Sequence, residues 1–169
     1  MSIKTIILLS TLVFFSVDIV PAEIERDSKE QYVALKVLPL CSVDGQVKVI
    51  FTNVSGGKLM VDPDYGSVDR FDVGNQAIDL YTADLYPVKT WARKSVKPTS
   101  DWSVFTAGQS VEHIIDFREH SPNLDLSKNY IVMTNAVFNV ITEAGKTIRV
   151  RLKSGSLDER VEFGPDCFK

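Results

Sequence analysis

The chain has 169 residues, of which 44% are hydrophobic, 24% charged and 9% aromatic, with a formal net charge of -3. That composition is too apolar for a disordered chain and too poor in Gly and Pro for a collagen-like or low-complexity one. Two cysteines are too few for a disulfide-dense mini-protein. A pI near 5.4 argues against a surface built to cover nucleic acid. What remains is one ordinary globular domain.

In chain order, Met1–Lys4 is a short basic head, and Thr5 to Val17 then runs without a charged side chain. Asp18 ends the run, and Val20-Pro21-Ala22 places compact residues where a signal peptidase needs them. This is the pattern of a secretory signal peptide over residues 1–22. The apolar run falls well short of the roughly 20 residues that a spanning helix needs, so no membrane span is expected. Residues 23–169 form the mature domain on this reading, exported to a periplasm or secreted.

Export sets how Cys41 and Cys167 are read. In an oxidising compartment the default for two cysteines is one disulfide. It would clip the C-terminal tail to the end of the first strand region, closing a long loop to which chain-entropy models assign about 4–5 kcal/mol. A metal site would want more ligands than these cysteines and two histidines supply, and neither cysteine sits in a Cys-x-x-Cys pair.

The body alternates. Val33, Leu35 and Val37 share one parity, as do Val47, Val49 and Phe51, with Ser42-Val43-Asp44-Gly45 as the turn between them. Further strands are predicted at Lys58–Val61, Arg70–Val73, Ala77–Tyr81, Val88–Trp91, Trp102–Thr106, Val111–Phe117 and Tyr130–Thr134. Val111–Phe117 also fits one helical face, but its β-branched content favours a strand. Val137–Ile141 and the run containing Ile148, Val150 and Leu152 form a hairpin around Glu143-Ala144-Gly145-Lys146. Many short strands with regular turn signals predict an all-β fold: a single-domain, antiparallel, immunoglobulin-like sandwich of Greek-key type. Tyr130, at a strand start, is placed to bond backbone upstream as such sandwiches do, or to serve as an ordinary core-edge tyrosine.

Catalytic signals are absent from the sequence. Glu112-His113 and Glu119-His120 form no zinc-binding motif; His113 has the parity of Val111, Ile115 and Phe117 and reads as a core histidine, and His120 as a loop residue. There is no nucleophile elbow and no phosphate-cradling glycine run. Asp62–Asp69 lacks the spacing of an EF-hand loop and reads as an acidic turn. Asn53-Val54-Ser55 matches the N-glycosylation acceptor pattern. No cofactor, metal or catalytic residue is therefore assigned.

The unusual stretch lies at 89–102. Lys89, Arg93, Lys94 and Lys97 fall there with both tryptophans, Trp91 and Trp102, against an acidic background. Trp and Arg are enriched at binding hot spots, and a basic patch steers acidic partners. Those six residues are the candidate partner-binding set; the competing reading makes the tryptophans core residues flanked by a solvated lysine loop.

Val47–Asn53 with Ser55-Gly56-Gly57-Lys58-Leu59, then Phe105–His113, Asp116-Phe117, Leu126, Tyr130 and Phe138, resembles the propeptide domain of deuterolysin-type secreted metalloproteases. The likeness spans roughly residues 46–141, and no protease domain or zinc motif follows. It implies a standalone, non-catalytic β-sandwich that restrains a secreted hydrolase. The leading expectation is thus an exported binding protein that inhibits or neutralises a partner hydrolase or toxin, in the manner of a protease inhibitor or immunity protein. The alternatives are a structural or adhesive envelope module and a small hydrolase with an unfamiliar site.

Overall fold

The computed structural model describes residues 25–27, 31–40, 45–75, 77–93, 99–121, 123–153 and 160–168. The expected leader, Cys41, Lys94 and Lys97 lie outside them. Ten strands are described: β1 (Glu25–Asp27), β2 (Val33–Leu40), β3 (Gln46–Asn53), β4 (Leu59–Val61), β5 (Ile78–Thr82), β6 (Ser103–Phe105), β7 (Ser110–Asp116), β8 (Tyr130–Thr142), β9 (Thr147–Lys153) and β10 (Val161–Phe163). Two four-residue helices, α1 (Pro63–Gly66) and α2 (Phe117–His120), sit in the connections.

These strands make two sheets. β2, β3 and β7 form a three-stranded antiparallel sheet in that order. The larger sheet is built around β8. Residues 130–134 of β8 pair with β5 and 130–132 with β10, while residues 135–142 pair with β9 and β4, and β6 extends β4. Pairing is antiparallel throughout except for β1, which lies parallel along β9. The result is an all-β sandwich.

Alternation explains the two facing layers. Val47, Val49 and Phe51 of β3 are fully buried, as are Ile148 and Val150 of β9, while their odd-and-even neighbours face outward. Phe51 joins the layers: its ring meets Phe138 of β8 edge-on at 5.7 Å, Phe71 at 5.7 Å and Tyr65 at 5.9 Å. Tyr65 in turn stacks on Phe138 at 4.4 Å.

The two predicted strands at 130–134 and 137–141 are one. Tyr130, Val132, Ala136, Phe138 and Val140 hold a single inward parity across Asn135, with no Gly or Pro to break it. Tyr130 is buried at the start of β8, its hydroxyl donating to the Asp125 carbonyl at 3.0 Å and accepting from the Asp125 N–H at 2.9 Å. Two expected strands are not strands. Arg70–Val73 is a turn leading into a 3-10 turn at Val73–Asn75, and Val88–Trp91 is an irregular arm without a ladder. The predicted strand at Val111–Phe117 forms β7 but stops at Asp116, whose side chain caps α2 by accepting from the Arg118 N–H.

Candidate functional site

Beyond β5 the chain turns back sharply. The Leu85 N–H donates to the Thr82 carbonyl and the Thr82 N–H to the Tyr86 carbonyl, both at 2.9 Å. Leu85 sits at φ 64, a left-handed conformation that an L side chain adopts at a cost. The turn nonetheless presents apolar groups to solvent, with Leu85 45% and Tyr86 71% exposed. Val88 re-anchors the chain by packing against the core and donating its N–H to the Leu80 carbonyl at 2.8 Å.

Two buried polar side chains then hold the next residues. His120, at the end of α2, is 5% exposed and donates from Nδ1 to the Trp91 carbonyl at 2.8 Å. The Trp91 N–H donates back to the His120 carbonyl at 2.9 Å, so both backbone polar groups of Trp91 end on one residue. Asp72, 1% exposed, accepts the Gly74 N–H on Oδ1 and the Arg93 N–H on Oδ2, each at 3.0 Å. The Asp72 carboxylate lies 3.9 Å from His120 Nδ1. Packing closes the latch as well: a Cβ on Gly74 would come within 2.7 Å of the Ala92 Cβ, so only glycine admits the arm this close.

The latched backbone displays its side chains outward. Trp91 is 54% exposed, with the Lys89 ammonium 4.1 Å from its ring centroid, a cation–π contact. Lys89 and Arg93 are exposed on the same arm, whereas Trp102 is half-buried near the start of β6. Trp91 is therefore a surface residue, and the core reading fails for it. The histidine expected in a loop is likewise corrected: α2 folds back under the Asp116 cap and carries His120 inward.

A cleft of about 210 Å³ opens beside the latch, lined among others by Asp72, Arg93, Ile114, Asp116, Glu119 and His120. Burial alone would raise the Asp116 carboxyl. Hydrogen bonds from the Arg118 guanidinium and N–H, aided by Gln46, outweigh it and hold the group below its usual range.

Other sequence motifs serve the fold. His113 is buried, stacked on Phe71 at 4.1 Å, and donates from Nε2 to the Tyr65 carbonyl at 2.8 Å. In the acidic turn, Asp62 caps α1 and Asp64 pairs with Arg70 at 2.6 Å. Burial raises the Asp62 carboxyl against the Asp64 N–H bond, and pushes the Tyr65 hydroxyl up to about 12. Asn53, the glycosylation acceptor by pattern, is 0% exposed. Its amide nitrogen is aimed at the carbonyls of Gly57, Phe105 and Thr106, and its oxygen accepts from the Ser55 N–H and hydroxyl. The folded domain offers no acceptor there.

Cys167 is buried in the C-terminal 3-10 turn, its carbonyl accepting the Gly45 N–H at 3.4 Å beside the start of β3. There is no free cysteine among the described residues. Among those residues no group of three or more His, Cys, Asp and Glu side chains is arranged to hold a metal, and no helix is long and apolar enough to cross a membrane. The sequence marks Lys89, Trp91 and Arg93 but not Asp72 and His120, which hold the backbone of Arg93 and Trp91. One local signal existed: Asp72-Val73-Gly74 has the make-up of an Asx turn, in which the side chain bonds the backbone two residues on. No protein-family model matches the chain, and no curated protein matches it in sequence.

Proposed function

We propose that the protein is an exported, non-catalytic binding protein that inhibits or neutralises a partner hydrolase, with the 83–93 arm as its contact surface. One observation carries this reading: the exposed Trp91 indole stands on a backbone immobilised by two buried side chains. Side-chain and loop ordering is a principal cost of association, and an anchor held in place beforehand avoids much of it. Trp and Arg are the residue types that most often dominate such contacts. Lys89 and Arg93 favour a partner whose docking face is acidic. The likeness of residues 46–141 to a protease propeptide is what makes a hydrolase the preferred partner. Export and a Cys41–Cys167 clasp belong to the same proposal, and the proximity of Cys167 to Gly45 at the foot of β3 supports the clasp.

The test is a stoichiometric titration against the secreted or periplasmic hydrolases of the source cell. One hydrolase should lose activity at a one-to-one ratio and co-elute with the protein. Finding no hydrolase that is either bound or inhibited would overturn the proposal.

A further inference from the structure

Among the described residues five take a positive φ, and four of them are glycines: Gly45, Gly56, Gly108 and Gly145. The fifth is Leu85, at φ 64. Glycine meets that conformation without strain, whereas the Cβ of a leucine crowds the backbone there. A leucine kept at such a position needs a use for its side chain. The core is not that use, because Leu85 is 45% exposed and lies outside the core cluster.

Tyr86 follows and, at 71%, is the most exposed large apolar residue among those described. Its hydroxyl makes no hydrogen bond among the described residues. Its backbone is held on both sides. The N–H donates to Thr82 Oγ1 at 3.2 Å, and the carbonyl accepts the Thr82 N–H at 2.9 Å. Pro87 comes next, with its own φ fixed, and forms an isolated bridge with Tyr81. Strain that the surroundings over-determine in this way gathers at ligand clamps and active sites.

We propose that the Leu85–Tyr86 turn enters the substrate pocket of a peptide-cleaving partner, a pocket that is apolar and sized for an aromatic ring. This rests on the inhibitor reading and deepens it: Trp91 supplies affinity, and the turn selects the enzyme. Specificity pockets read one protruding side chain; an acidic pocket takes Lys or Arg, and an apolar slot takes an aromatic ring. Of the arm's described basic residues, Lys89 lies over the Trp91 ring and Arg93 lines the cleft, so neither stands clear as Tyr86 does. The turn also resists being cut. Cleavage after Tyr86 would need its carbonyl to meet the enzyme's oxyanion donors. The Thr82 N–H already holds that carbonyl, and the bond beyond it runs to a proline ring nitrogen. The partner is offered a substrate's side chain without a substrate's bond.

The experiment takes the hydrolase that co-elutes with the purified protein and assays it with p-nitroanilide peptides ending in Phe, Lys or Ala. The Phe substrate should be cleaved fastest, and inhibition should be competitive with it. Mass spectrometry should recover the protein uncut between Tyr86 and Pro87. Tyr86→Ala should weaken inhibition about 30-fold, and Tyr86→Phe should stay within about threefold of wild type. Leu85→Gly should raise the denaturation midpoint by relieving the backbone, yet weaken inhibition about tenfold. A partner that cleaves none of the three peptides, or prefers Lys or Ala, overturns the proposal. Non-competitive inhibition, cleavage after Tyr86, or full inhibition by Tyr86→Ala or Leu85→Gly overturns it too. If Trp91→Ala alone abolishes inhibition, the turn proposal fails and the arm reading stands. If the turn variants lose inhibition that Trp91→Ala keeps, the Trp91 anchor fails instead. Absence of any inhibited hydrolase overturns both.

Discussion

Two of the places where this sandwich buries a polar side chain to pin backbone pin different things. Asn53 ties its own turn to the end of β6, joining one part of the core to another. Asp72 and His120 reach instead to an arm that contributes only Val88 to the core and shows Leu85, Tyr86 and Trp91 to solvent. Buried hydrogen bonds in the first case hold up the fold. In the second they hold a surface still. Satisfied buried networks rigidify whatever they connect, so what a network connects indicates what its rigidity is for.

That contrast can be broken by mutation. Asn53→Ala would remove the bonds that a fully buried side chain makes to the Phe105, Gly57 and Thr106 carbonyls and the Ser55 N–H, and should cost about 3–5 kcal/mol of unfolding free energy by denaturant titration. Partner affinity, measured where the variant is still folded, should hardly move. Asp72→Ala should cost less stability, about 2 kcal/mol, because the Gly74 and Arg93 N–H groups lie nearer to water. It should also weaken the complex about tenfold by loosening the arm. Equal effects of the two substitutions on affinity would erase the distinction.

The smallest expected effect concerns a carboxylate that anchors nothing. Asp79 lies half-buried on β5, and burial raises its pKa. A raised folded-state value favours the protonated form. Its contribution to stability is therefore full below the ordinary value of 3.8 and is lost as pH rises through the raised one. Asp79→Asn should raise the melting temperature at pH 7 by about 1 °C and make no difference near pH 3.

Much of the sandwich was legible because a strand with one wet face writes its fold as alternation. β2, β3 and the β8–β9 hairpin follow from parity, β7 needed its β-branched content as well, and Tyr130 makes the upstream bond that was one of the two readings open for it. Three-residue strands such as β1 and β10 are too short to show a period. Arg70–Val73 mimicked a strand because Phe71 and Val73 are both buried, yet Asp72 between them is buried too. Sequence separates the arm from its anchors by about twenty residues on one side and thirty on the other. Nothing local states that Asp72 and His120 converge on it. The exposed basic residues could be read; the buried ones that position them could not.

The most direct test of the central claim compares wild type with Trp91→Ala in the inhibition titration, with stability measured in parallel. The indole is largely outside the core, so the variant should unfold within about 0.5 kcal/mol of wild type. Its affinity for the inhibited hydrolase should fall about 30-fold or more, the signature of a central aromatic anchor. Unchanged affinity at unchanged stability would contradict the account. A large loss of stability would contradict it as well, since Trp91 would then be part of the fold after all.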